Sequence, residues 1–265
     1  MAGRTAMTTC LTRVAVLISA LALTAVAVPT GRATAATVAG RQLIAEDDFT
    51  GSTVNSADWV PYDENSSNGV SHWNPKELTV ANGELCVHSH GKDPTGAANY
   101  SGALAWSLGA GNQTYGVWMV RARFDAGAGY GPAILLWPQS NDWPADGEID
   151  LVESVQPSRD TALASVHWGT TAPGYRESGT LRGDFTQWHV YAVDWEPTFV
   201  KISIDGTTVY DTRYSAVHPT IPKTPMHIVI QQEPGPYGAP GWIVPPNSST
   251  PDDVQVHVDW VRIYH

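Results

Sequence analysis

The chain has 265 residues, 42% of them hydrophobic and 15% charged, with Lys+Arg 15 against Asp+Glu 26 for a formal net charge of −11. That length suits one large domain or two small ones, the acidic balance argues against a phosphate-binding surface, and the charges are too sparse for a coiled coil or a charged disordered tail. Eleven Trp against four Phe suggests aromatic faces presented at a surface, because bulk in a core is more often supplied by Phe and Leu.

In chain order, Arg4 and Arg13 precede an almost wholly apolar run, Val14 to Val28, and Ala33-Thr34-Ala35 or Thr34-Ala35-Ala36 offers small residues for cleavage. This reads as a secretory signal peptide over residues 1–36. The apolar run is about 15 residues, short of the roughly 20 that span a bilayer, so neither a membrane anchor nor a membrane partner is expected. Its removal takes three Arg, no acid and Cys10, leaving 12 basic and 26 acidic residues, net −14, and Cys86 as the sole cysteine. No intramolecular disulfide can then form, and Cys86, alternating within Glu84-Leu85-Cys86-Val87-His88, reads as a small buried apolar residue. His88 and His90 share a strand face and could bind zinc, but two ligands without a third nearby seldom make a site.

Residues 37–265 are expected to form a single domain. The Pro-rich stretch 233–251 is the nearest thing to a linker, yet only 14 residues follow it, so it reads as a loop over one core. Short β-branched or aromatic runs bounded by Gly, Pro, Asn or Asp predict strands at Leu104–Trp106, Val117–Phe124, Ala133–Trp137, Leu163–Trp168, Val190–Trp195, Val200–Ile204, His227–Gln231 and Val256–Tyr264. Asp205-Gly206 between Val200–Ile204 and Thr207–Tyr210 predicts a hairpin with a type I′ turn. No window shows a sustained apolar stripe at helical spacing. The fold class is therefore all-β: a sandwich of two antiparallel sheets, one of which can curve into a groove whose tryptophans lie flat on sugar rings.

Chemistry concentrates in Trp143-Pro144-Ala145-Asp146-Gly147-Glu148-Ile149-Asp150-Leu151-Val152-Glu153. In a regular strand Glu148 and Asp150 share a face, while Glu153, at an odd offset, would point into the core beside Ile149. Burying a lone carboxylate there is costly, and one extra residue at Leu151-Val152, a β-bulge, returns Glu153 to the face of Glu148. Two carboxyls across a glycosidic bond are what glycoside hydrolysis needs, with a separation near 5–5.5 Å for retention and about 6.5–9.5 Å for inversion. Asp150 between them can share a proton or orient the nucleophile. The residues alone do not decide which glutamate attacks, and a solvated acidic strand face or a calcium site remains an alternative.

Trp143-Pro144-x-x-Gly147-Glu148-Ile149-Asp150-Leu151-Val152-Glu153 resembles the signature of glycoside hydrolase family 16 in its bulged, laminarinase-like form, Glu-x-Asp-x-x-Glu. Tyr115-Gly116 with Arg121, Ser165-Val166-His167-Trp168, Trp188-His189-x-Tyr191-x-x-Asp194-Trp195, Ile204-Asp205-Gly206 and Val258-Asp259-Trp260-Val261-Arg262-Ile263-Tyr264 extend the likeness over about residues 44–265. The resemblance implies a concanavalin-like jelly roll that cleaves β-linked polysaccharides with retention, with Glu148 as nucleophile, Glu153 as acid/base and Asp150 assisting. It also implies His167 near the acid/base and a stabilising calcium held by Asp259 with backbone carbonyls near Gly83 and the N-terminus. Two features depart from the family: Gly131 and Leu135 stand where laminarinases carry tryptophans, and Gln231 stands at an Asn position.

Around the acids, Trp143 is expected to be the best stacking platform, with Trp137 and Gln231 as further substrate contacts and Trp168 turned to the core. The expected protein is a secreted, monomeric endo-β-glycanase acting by double displacement on a neutral chain, most of all β-1,3-glucan, with no catalytic cofactor. Its net −14 would repel sulfated galactans from an acid-lined groove. Hydrolysis or transglycosylation of another β-glycan such as a galactan, a lyase, or a non-catalytic carbohydrate-binding sandwich are the alternatives; the last need not keep three convergent acids.

Overall fold

The computed structural model describes residue 38 and residues 41–265, apart from 67, 68, 70, 94, 96, 97, 239 and 240. The signal peptide read at residues 1–36 lies outside the described residues. Strands follow in chain order: β1 Leu43–Asp47, β2 Val60–Pro61, β3 Glu64–Asn65, β4 His72–Trp73, β5 Leu78–Ala81, β6 Glu84–Val87, β7 Ser89–His90, β8 Tyr100–Ser101, β9 Ala103–Ala105 and β10 Gly116–Phe124. The second half adds β11 Tyr130–Pro138, β12 Glu148–Glu153, β13 Thr161–Trp168, β14 Tyr175–Arg182, β15 His189–Glu196, β16 Phe199–Ile204, β17 Thr207–Asp211, β18 Met226–Pro234 and β19 Val256–Tyr264. Helical structure among the described residues is limited to two 3-10 turns, Pro75–Glu77 and Thr212–Tyr214, as the missing helical periodicity implies.

Two large antiparallel sheets form the sandwich. One runs β17-β16-β15-β10-β19-β6-β5 with β1 on β19; the other runs β14-β13-β12-β11-β18-β9-β2. Alternation puts one face of each into a shared core: Trp118, Val120 and Phe124 of β10 and Tyr191, Val193 and Trp195 of β15 meet Ile134 and Leu136 of β11, Val166 of β13 and Ile228 and Ile230 of β18. The other face of the second sheet carries a smaller apolar floor, Ala105, Ala133, Leu135 and Val229, with Tyr62 and Trp137 packed on it. The hairpin between β16 and β17 turns at Asp205 (φ 49°) and Gly206 (φ 79°), both left-handed as a type I′ turn demands.

The bulge is present in β12. Against β11, Ile134 faces Val152 but Leu135 faces Asp150; against β13, Asp150 faces Ser165 and Glu153 faces Leu163. Ile149, Leu151 and Val152 are all fully buried in the core, which leaves the acids to the opposite face.

Two expectations change. Trp is not mainly a surface residue here: Trp59, Trp73, Trp106, Trp118 and Trp195 are buried, because a wide gap between two sheets also takes large flat rings. Strand β14 was not foreseen. Its sequence, Tyr-Arg-Glu-Ser-Gly-Thr-Leu-Arg, alternates exposed with half-buried residues on a sheet edge, so it has no apolar face to announce it.

Candidate active site

The second sheet's outer face opens on a cleft of about 780 Å³ whose lining includes Glu148, Asp150 and Glu153, together with Trp137, Trp143, His167 and Gln231. Gly147, ahead of β12, has φ 79°. The residues before it form a tight turn, with Asp146 N–H donating to the Asp142 carbonyl at 2.8 Å, and this turn folds Trp143 back over the strand. Its indole N–H donates to Glu148 Oε2 at 2.8 Å. Trp143 is thus hydrogen-bonded to a carboxylate as well as facing the cleft, more than the stacking platform its neighbours suggested.

Asp150 is 2% exposed, and His167 Nε2 lies 3.0 Å from its Oδ2. Since β13 sets His167 opposite Glu148 and Leu163 opposite Glu153, the histidine serves Asp150 and not the far glutamate near which the family likeness placed it. Glu153 has different company. Its Oε2 is buried without a hydrogen-bond partner, and Arg176 Nη1 of β14 stands 3.6 Å away.

Three carboxyls crowded at one partly buried site repel one another's charges. Burial first, then the charges of Asp150 and Glu153, pushes Glu148 well above the usual carboxylate range, while the Trp143 N–H acts in the opposite direction. Burial and then Asp150 push Glu153 up to about 8, against the pull of Arg176.

Trp137 is half-buried on the apolar floor with its N–H donating to Asn141 Oδ1 at 2.8 Å. Gln231 lines the cleft from β18, opposite Ala133. Trp168 packs partly buried against the core and stacks on Tyr175 with ring centroids 5.7 Å apart, the core-side position expected of it.

Several lining residues were not anticipated. Tyr62, Trp73, Glu64, Arg176, Tyr237 and Trp242 all face the cleft. Tyr62 and Trp73 form a ring pair with centroids 5.5 Å apart, and the Arg176 guanidinium sits 4.8 Å from the Trp242 ring centre. Tyr237 and Trp242 belong to the Pro-rich stretch after β18, joined by a β-bridge between Tyr237 and Ile243. The same loop explains a departure from the family: a Cβ at Gly131 would lie 2.5 Å from Ile243 Cδ1, so the space a tryptophan would use is already filled. The available signal was Trp242 itself, an aromatic among Gly and Pro residues.

Two groups of ligating side chains lie at or near residues already introduced. Glu148, Asp150 and His167 bring donor atoms within 4.8 Å of one another, as do Glu84, Cys86 and His257. In the second, His257 is held between Glu84 and Asp125. Burial alone would depress its pKa, but hydrogen bonds to Asp125, Cys86 and Glu84 outweigh that and raise it to about 10. Cys86 is half-buried there with Sγ 3.6 Å from His257 Nδ1, more polar surroundings than its alternation suggested. Asp259 Oδ2 accepts from Arg121 Nη1, and Gly83 turns the β5–β6 hairpin at φ 79°. The carboxylate read as a calcium ligand therefore already carries a cation.

Among known proteins, the model of glycosyl hydrolases family 16 matches residues 65–262. The glucan endo-1,3-beta-glucosidase A1 of Niallia circulans is 27% identical over 88% of this chain and 39% of its own length. The beta-glucanase of Rhodothermus marinus is 30% identical over 70% of this chain and 69% of its own. This chain thus spans about two fifths of the first relative. The X-ray structure of the endo-beta-1,3-glucanase of Pyrococcus furiosus superposes with a TM-score of 0.72 at 25% identity, covering 84% of this chain and 94% of that one.

The raised Glu153 pKa fixes a pH dependence. The folded state holds this proton up to about pH 8 while the unfolded chain releases it near 4.3, so the folded state binds more protons between these values and stability falls as pH rises through the window. Glu153→Gln removes the titrating group. In urea unfolding, the variant should gain on the wild type steadily as pH rises through this window and show no relative gain below it.

Proposed function

The chain belongs to glycosyl hydrolases family 16, and from that premise we propose that it is a retaining endo-β-glycanase whose substrate is a neutral β-1,3-glucan. The observation that carries the reading is the gathering of Glu148, Asp150 and Glu153 on the cleft side of β12 while Ile149, Leu151 and Val152 fill the core. The relatives' names supply the glucan. Lining acids Glu64 and Glu233 beside the triad, against Arg176, suit an uncharged chain.

The two outer glutamates differ in hydrogen bonding, and this supports a division of roles that the sequence left open. Glu148 accepts the Trp143 N–H, which stabilises its charged form and suits a nucleophile. Glu153 lacks a hydrogen-bond donor at its buried Oε2 and is pushed up to about 8, which suits a group that must arrive protonated. In the first step Glu153 gives its proton to the leaving oxygen as Glu148 attacks the anomeric carbon. Esterification removes the charge of Glu148, so Glu153 loses proton affinity and can take a proton from the attacking water in the second step. Asp150, with His167 Nε2 3.0 Å from its Oδ2, lies beside Glu148 and orients it.

The proposal includes export as a monomer of residues 37–265 after removal of the signal peptide. The mass of the chain recovered from the medium reads both export and cleavage after Ala36. It also includes a stabilising calcium at Asp259 with carbonyls near Gly83, in competition with Arg121. Calcium added to chelated protein should raise the unfolding temperature, and Asp259→Asn should abolish the rise.

The catalytic assignment is tested on laminarin. Glu148→Gln and Glu153→Gln should each lower reducing-end release by about a hundredfold or more while laminarin binding persists. Proton NMR of the wild-type reaction should show the β-anomer first. An initial α-anomer, or undiminished hydrolysis by Glu148→Gln, overturns the assignment.

A further inference from the structure

We propose that His88, His90, Asp253 and Glu77 form a binding site for a zinc-class divalent cation, separate from the cleft. The pair His88 and His90 lacks a third ligand in the sequence around it; the fold supplies one from 163 residues away, Asp253, set against His90 in an isolated β-bridge. Val254 N–H donates to the Ser89 carbonyl at 3.1 Å and holds Asp253 in place. Donor atoms of His88, His90 and Asp253 lie within 4.8 Å of one another, and the two imidazoles stand parallel, with centroids 6.0 Å apart and planes 9° from each other. Glu77, at the end of the 3-10 turn before β5, completes the set.

Ligands about 2.0–2.1 Å from a tetrahedral zinc stand about 3.3 Å from one another. The gaps here straddle that value: 2.8 Å from His88 Nδ1 to Asp253 Oδ2, 3.0 Å from His90 Nε2 to Glu77 Oε2 and 3.8 Å from His90 Nε2 to Asp253 Oδ1. Two nitrogens and carboxylate oxygens suit zinc, whereas calcium prefers oxygen alone.

Hydrogen-bond geometry points the same way. His90 Nδ1 lies 3.1 Å from the Asp252 backbone carbonyl, which can only accept, so Nδ1 donates there and Nε2 is the nitrogen turned toward Glu77 and Asp253. Asp253 Oδ1 is buried and has no hydrogen-bond partner, 3.8 Å from His90 Nε2. A metal ion reaches both carboxylates at once. Behind His88, Thr79 Oγ1 lies 2.8 Å from Nε2 and can accept a hydrogen bond there, leaving Nδ1 free to ligate, the outer hydrogen bond typical of metal-bound histidine. His90 remains 45% exposed, which gives the ion an entry path. Bound there, the ion ties Asp253, at the end of the segment carrying Trp242 and Ile243, to the 3-10 turn ending at Glu77 and to His88 and His90 beside β7.

The test uses the full chain, stripped with chelator and titrated with zinc chloride alone. Calorimetry should show one zinc per chain, and zinc should raise the unfolding temperature by mass action. His90→Gln and Asp253→Asn should each abolish the heat, with circular dichroism confirming that they fold. Thr79→Val, a milder change, should weaken binding by about tenfold. Cys86→Ser and Glu148→Gln should keep the stoichiometry, which places the ion outside the other two clusters. The proposal is overturned if the wild type binds no zinc at submillimolar concentration, if binding survives both His90→Gln and Asp253→Asn, or if Cys86→Ser removes it.

Discussion

A carboxylate cannot be left unpaired in the gap between two sheets, and the rest of the site follows from how β12 obeys that rule. Kept in regular alternation, the strand would bury Glu153 among Ile149 and the core residues it faces, at a cost of several kcal/mol for an unpaired ion. A bulge gives up regular pairing at one ladder step, worth about 1 kcal/mol. The bulge wins by that margin, and it has a second effect. Leu151 and Val152 both point inward and are fully buried, so the strand gains an extra apolar anchor at the point where it presents three acids. Site and core are stabilised by the same irregularity.

Crowding the acids then creates the electrostatic problem that catalysis uses. Burial and mutual repulsion raise both outer glutamates, so the triad keeps at least one proton at neutral pH. Where that proton rests depends on donors. Trp143 bonds Glu148, His167 bonds Asp150, and Glu153 has only the Arg176 cation at 3.6 Å, beyond hydrogen-bond reach. The donors therefore differ between the two raised glutamates: Trp143 favours charge on Glu148, and Glu153 has no such donor at its buried Oε2. The turn ahead of β12 and the register of β13 each deliver one donor, so the difference between two chemically identical side chains arises from the backbone around them.

Much of this was legible in the sequence because it depends on local alternation. The strands with β-branched or aromatic runs, the Asp205-Gly206 turn and the bulge at Leu151-Val152 all follow from pleat geometry and the cost of misplacing a side chain. What failed was whatever depends on distant partners. Polar β14 is a strand only because β13 lends it hydrogen bonds. The tryptophan count could not say that Trp118 and Trp195 stack in the core with centroids 5.8 Å apart. The partner of His167 is set by the register of two strands, and Arg176 and Trp242 reach the cleft from an edge strand and a loop that sequence spacing does not connect.

The loop after β18 shows how substrate contacts can change while the chemistry stays fixed. A tryptophan at Gly131 would occupy the space of Ile243, so the strand-borne aromatic and this loop packing exclude each other. With Ile243 seated at 4% exposure and bridged to Tyr237, the loop has its own apolar anchor and can bring Tyr237 and Trp242 to the cleft without altering β12. An aromatic wall built on a strand is fixed by the sheet. One built on a loop is fixed by a single buried residue and can be replaced by changing a segment that carries no catalytic group. Arg176 then links the two parts, lying against Trp242 on one side and Glu153 on the other. Moving Trp242 would therefore also move the cation nearest Glu153, so the position of this ring and the proton affinity of Glu153 are coupled through one guanidinium.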